Sequence, residues 1–133
     1  MSELFDKSIR TLELPQVLQL LSEQAVSPEA KELALAVRPE TDYEDVLRLL
    51  DQTDGARAMI VLRGAPGFSG VKPVKDLLDR ADRGGGLNTR ELLTIAGLLT
   101  AARRTREYFN GDNREKSAID HLFLSLHGNR FLE

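Results

Sequence analysis

Thr41-Asp42-Tyr43-Glu44-Asp45-Val46-Leu47-Arg48-Leu49-Leu50-Asp51-Gln52-Thr53-Asp54-Gly55-Ala56-Arg57-Ala58-Met59-Ile60 is the stretch on which the fold turns. Thr41 to Glu44 reads as a capping box, in which the Thr41 hydroxyl and the Glu44 carboxylate reciprocally satisfy amides at a helix start. Behind it Val46, Leu49, Thr53, Ala56 and Ile60 step alternately by three and four residues. That spacing makes a narrow seam suited to packing one long helix against another.

Working outward, helix signals recur with few strand signals between them. Upstream, Glu3 to Leu12 holds a short helical segment with poorly marked boundaries. Pro15 suits a first helical position and opens a helix to Gln24, with Leu18, Leu21 and Ala25 on one stripe. Ser27-Pro28-Glu29 combines an N-cap, a first-turn proline and an acid before a short helix over Ala30 to Val37. Pro39 restricts Arg38 to extended conformations and stops that helix. Downstream, Gly64-Ala65-Pro66-Gly67-Phe68-Ser69-Gly70 is a loop on composition, expected to bury Phe68. Val74, Leu77, Leu78 and Ala81 restore helical spacing until Gly84-Gly85-Gly86. Asn88 to Glu91 is a second capping box, leading a helix through Leu92, Ile95, Leu99 and Ala102 to Phe109. Ile119, Leu122, Phe123 and Leu126 mark a last helix with Gly128 as its cap. The expectation is an all-α, multi-helix bundle of six or seven helices, forming a single domain over residues 1–133. Phe131 and Leu132 then arrive with no structure left to bury them, which points to a chain that continues in a larger protein.

The 133 residues are 41% hydrophobic and 29% charged. No apolar run approaches the roughly 20 residues of a transmembrane helix, so no membrane partner is expected. Met1-Ser2-Glu3-Leu4-Phe5-Asp6 lacks the basic and apolar regions of a secretory signal, which leaves the cytoplasm as the expected location. The absence of cysteine excludes disulfides, thiolate metal sites and a cysteine nucleophile. Net charge is −3, split between 6 basic and 12 acidic residues up to Leu62 and 12 basic and 9 acidic beyond it. A pI near 5.5 is far from that of a typical nucleic-acid module, so any such contact must be local.

Three features bear on chemistry. The glycine-rich loop from Gly64 to Lys72 resembles a phosphate cradle only superficially. Val71 separates Gly70 from Lys72, Pro73 follows, and the segment before it reads as helix rather than strand. Arg103, Arg104 and Arg106, with Arg114 and Lys116 nearby in sequence, form the strongest basic cluster and are the candidate nucleic-acid contacts. On a helix they spread over about 160°, a face rather than a focused site, and favourable placement of cations near a helix C-terminus accounts for them as well. His121 and His127, six residues apart, lack the spacing of a metal pair. Glu40, Asp42, Glu44 and Asp45 surround a helix start, where the dipole favours acids. No residue set combines nucleophile, base and orienting group, so no catalytic, metal or cofactor residues are assigned.

Ser8-Ile9-Arg10-Thr11-Leu12-Glu13-Leu14, the helix through Leu20-Leu21, Arg38-Pro39, Arg83-Gly84-Gly85-Gly86-Leu87 and Glu91-Leu92-Leu93 together resemble the N-terminus of the second bacterial MutS subfamily, MutS-two. Their order and spacing carry the resemblance, which covers essentially the whole chain. It implies the start of a MutS-like core and lever domain, a non-catalytic helical scaffold. Full-length members of that family are ATPases with a C-terminal Smr nuclease domain, associated with suppressing homologous recombination and rescuing collided ribosomes. The resemblance therefore implies ATP and Mg as cofactors of the whole protein only. It implies as partners the remaining domains of the parent chain, DNA or the ribosome, and a second copy. No Walker or Smr segment occurs here, so no ATP-binding or nuclease residue is carried onto this sequence. The alternatives are a module in which Arg103, Arg104 and Arg106 contact nucleic acid or rRNA directly, and a stand-alone protein-interaction domain.

Overall fold

The computed structural model describes residues 3–111 and 116–133. Its elements are α1 Glu3–Thr11, α2 Leu14–Gln24, α3 Pro28–Ala36, α4 Tyr43–Arg63, α5 Lys75–Asp82, α6 Thr89–Phe109 and α7 Asp120–Leu124, with no strand among the described residues. The all-α expectation therefore holds. Contacts divide the chain into two compact units, Met1–Pro39 and Glu40–Glu133.

In the first unit, α2 packs against both α1 and α3. Glu13 adopts a left-handed conformation at φ 56°, which breaks α1 from α2 within two residues. Ser27 caps α3 as its sequence implies, accepting a hydrogen bond from the Ala30 amide at 3.1 Å. The inward face of α2 differs from the expected stripe. Leu18 and Ser22 are buried, whereas Leu21 is 47% exposed. The Ser22 hydroxyl donates to the Gln19 carbonyl at 2.8 Å and so carries no unmet polar demand.

In the second unit, the α4 start is shifted by one residue from the expected box. Asp42, not Thr41, is the N-cap, and one carboxylate oxygen accepts from the amides of Glu44 and Asp45 at 3.0 and 3.2 Å. A carboxylate at this position also complements the helix dipole, which favours it over the threonine hydroxyl. The expected seam is only half used: Val46 and Ala56 are half-buried, while Leu49, Thr53 and Ile60 are exposed. The Asn88–Glu91 capping box of α6 forms reciprocally, at 3.0 and 2.8 Å.

The core of this unit is small. Phe109 is fully buried and stacks on Phe123 with ring centroids 4.8 Å apart, and Ile119, Ala56, Met59, Tyr108 and Leu126 pack around them. The innermost face of α6 is Ala101, Thr105 and Phe109; of the expected stripe Leu92 is exposed, while Ile95, Leu99 and Ala102 are half-buried. α7 ends at Leu124 with Ser125 as its cap, shorter than the spacing from Ile119 to Leu126 suggests. Gly128 is not its cap. Instead its backbone lies against α6, where an added Cβ would stand 3.3 Å from the Arg103 Cβ. Phe68 is not buried by its loop but 43% exposed.

Candidate nucleic-acid interface

The C-terminal ends of α4 and α6 are joined by a reciprocal set of hydrogen bonds. The Arg63 guanidinium donates to the carbonyls of Tyr108, Phe109 and Gly111 at 2.9, 3.1 and 3.0 Å. In return, the Tyr108 hydroxyl lies 2.7 Å from the Gly64 carbonyl and 3.3 Å from that of Met59. Each helix thus satisfies carbonyls that the end of the other leaves open. The Arg63 cation also offsets the negative end of the α6 dipole.

That geometry sets the stage for the basic cluster. Arg103 pairs with Glu107 at 2.9 Å and with Glu133 at 2.8 Å. Its hydrogen bonds to Glu133 first, and to Glu107 second, hold the guanidinium even more firmly charged. Arg106 donates to the Leu126 carbonyl at 2.6 Å, tying the segment after α7 to α6. Arg104 is exposed between them. The three candidate arginines are therefore not brought together. Arg103 and Arg106 line one cleft of about 310 Å³ with Glu107, Asn110, His127, Gly128 and Arg130, whereas Arg104 is outside it. Lys116 is exposed, and Arg114 lies outside the described residues.

His127 and Arg130 enter the cleft because the chain folds back after α7. The Phe131 amide donates to the Asn129 side chain at 3.1 Å, and the amides of Leu132 and Glu133 donate to the Asn129 carbonyl. This turn returns Glu133 to Arg103. The sequence signal was Asn129 after Gly128, a turn pair that the helical reading passed over.

At the opposite end of α6, Glu91 pairs with Arg80 at 2.5 Å. The Arg80 hydrogen bond, then the Asn88 amide, hold the Glu91 carboxyl below the usual glutamate range, with partial burial opposing them.

The glycine-rich loop does not have the form of a nucleotide phosphate cradle. The Gly64–Lys72 loop follows a helix rather than a strand, Pro73 contributes no amide, and α5 begins only at Lys75. Among the described residues no group of three or more His, Asp or Glu side chains is placed to hold a metal ion. Among them, too, no helix is long and apolar enough to cross a membrane.

No protein-family model matches the chain. Curated relatives do. Endonuclease MutS2 of Ruminiclostridium cellulolyticum is 37% identical over 130 residues, 96% of this chain and 16% of that protein. The namesake from Geobacillus kaustophilus is 36% identical over 117 residues, 88% of this chain and 15% of its own length. That from Acetivibrio thermocellus is 33% identical over 131 residues, covering 96% and 16%. The chain thus spans about a sixth of the length of the relatives it matches.

Proposed function

From the premise that this chain is homologous to the N-terminal region of the MutS2 endonucleases, we propose that it is a non-catalytic helical scaffold within a larger cytoplasmic protein. Its role is to transmit ATP-dependent domain motion generated elsewhere in the parent chain to the part that acts on DNA or the ribosome, in a protein that works as a homodimer. The two units, each with few buried side chains, together serve as one scaffold domain.

The observation that carries this reading is unburied apolar surface. The accessible surface, polar and apolar together, is 10451 Å². Two separate compact domains of these sizes would expose only roughly 8300 Å² in total. Leu49, Leu50, Ile60, Val61 and Leu62 on α4 and Leu92 and Leu93 on α6 are all exposed. Surface of this kind is what a helical core presents when further helices of the parent cover it.

The reading is tested by assaying the purified chain for ATP hydrolysis and for nuclease activity. It expects neither, together with full helicity by circular dichroism. Turnover of ATP by the chain would overturn it.

A second reading, direct contact with a nucleic-acid backbone through Arg103, Arg104 and Arg106, is favoured by the convergence of two of these arginines on one cleft. Replacing all three with Gln should then weaken binding to DNA or rRNA and flatten its dependence on salt.

A further inference from the structure

We propose that the cleft between the C-terminal half of α6 and the 125–130 segment seats one phosphate of a nucleic-acid strand, with Arg106 and Arg130 as its donors and His127 at its edge. This deepens the contact reading and rests on it, but it moves the site away from Arg104 and onto the folded-back tail.

Four observations converge on the cleft. First, its lining carries three arginines against one acid, Glu107. Glu107 is engaged by Arg103, which is also paired with Glu133. The charge of Arg103 is therefore largely spent inside the protein, and Arg106 and Arg130 supply the field that a ligand meets. Second, Arg106 uses one terminal nitrogen on the Leu126 carbonyl. Its guanidinium has five N–H donors in all, so the bond fixes its plane while leaving donors for a second acceptor. Third, Arg130 lines the same cleft, is exposed and has no partner among the described residues. A phosphate between these two residues would receive the forked hydrogen bonds that guanidinium groups make well.

Fourth, the usual objection to an anion near the end of a helix is met locally. The last carbonyls of a helix repel an anion. Here Arg63 already donates to those of Tyr108, Phe109 and Gly111. His127 marks the edge of the cleft and gives the phosphate no donor. Its Nδ1 lies 2.8 Å from the Ser125 carbonyl, which can only accept, so the neutral ring carries its proton there. Nε2 is then an acceptor, suited to a sugar hydroxyl beside the phosphate rather than to the phosphate itself. At about 310 Å³ the cleft has room for one phosphate and the sugar attached to it, and little more.

The test is fluorescence anisotropy of the whole chain with a labelled single-stranded oligonucleotide of about twenty nucleotides. It is repeated with uncharged methylphosphonate linkages and with inorganic phosphate as competitor. Arg130→Gln should weaken binding about fivefold and lower the magnitude of the log–log salt slope by about 0.7, the value for one phosphate on a single strand. Arg106→Gln should do at least as much, but it also frees the tail, so Arg130→Gln decides. Arg57→Gln, an equal loss of charge on α4, should change little. The methylphosphonate strand should not bind. Unchanged affinity and slope in Arg130→Gln overturns the proposal. If Arg104→Gln weakens binding more than Arg130→Gln, the cleft falls while the arginine face stands. If the wild-type chain binds no strand, both fall, and they do so equally if inorganic phosphate alone is bound.

Discussion

Glu91 shows how much a single side chain joins. It receives the Arg80 guanidinium and the Asn88 amide, so it braces α5, the glycine turn and the first turn of α6 at once. A carboxyl held below its ordinary range contributes stability that is present above the unfolded value and is lost as pH falls toward the folded one. Thermal unfolding measured between about pH 7 and about pH 3.5 should therefore show a smaller loss of stability in Glu91→Gln than in the wild type. Equal acid sensitivity would remove Glu91 from the titration. The neighbouring turn gives a sharper contrast between two glycines. A Cβ on Gly85 would stand 2.6 Å from the Arg80 Cγ and 2.9 Å from its carbonyl oxygen, and the backbone atom cannot swing away. A Cβ on Gly55 would meet only the Ser117 Oγ inside 3.4 Å, which can turn away about its Cα–Cβ bond at the expense of a long, 3.5 Å hydrogen bond from the Ile119 amide. Gly85→Ala should cost about 1–3 kcal/mol. Gly55→Ala, in mid-helix, should be neutral or gain up to about 1 kcal/mol from helix propensity. Urea midpoints of the two variants check the pair.

Between elements, the hydrogen-bond exchange between the ends of α4 and α6 is a link made by side chains. Arg63→Met removes donors to three carbonyls and should cost about 1–3 kcal/mol. Tyr108→Phe removes a hydroxyl whose single proton goes to the nearer Gly64 carbonyl, and should cost about 1 kcal/mol. Because the two groups hold the same pair of helix ends, a double-mutant cycle should show coupling of about 0.5 kcal/mol or more, where additivity would mean two independent caps. None of this was legible in the sequence, since Arg63 and Tyr108 are 45 residues apart and nothing local connects them. What was legible was local. The Asn88–Glu91 box and the Ser27 cap formed as their spacing implies, because both partners lie within one turn. At Asp42 the same logic failed by one residue, since two good capping side chains stood side by side. The inward faces of α2 and α6 differ from their apolar stripes for another reason. Hydrophobic periodicity selects large apolar residues, whereas the buried positions include Ser22, Ala101 and Thr105, small side chains that such a pattern does not pick out. The cleft was half legible: Arg103 and Arg106 stood out as charge, but His127 and Arg130 joined them only through the fold-back at Asn129.

Over the whole chain, the balance between core and surface is what separates a scaffold from a self-sufficient domain. Among the described residues few side chains are buried, and the fully enclosed large one is Phe109. The side of α4 turned away from that core keeps large apolar side chains two turns into the helix and in its last turn: Leu50 is 57% exposed and Val61 77%. Burying such side chains is worth about 1.5–3 kcal/mol each, so in isolation the chain gains by covering them with another copy of itself. Sedimentation velocity should therefore show association that rises with concentration. Leu50→Glu combined with Val61→Glu should shift the chain toward monomer with helicity retained, because neither side chain supports the core it leaves behind. In the parent protein the same pair should instead uncouple this region from the helices that cover it, visible as faster hydrogen exchange along α4. If the double variant loses its helicity in the isolated chain, these positions belong to the chain's own core. If the wild type is monomeric at every concentration, the exposed faces are no docking surface, and the scaffold reading loses its main support.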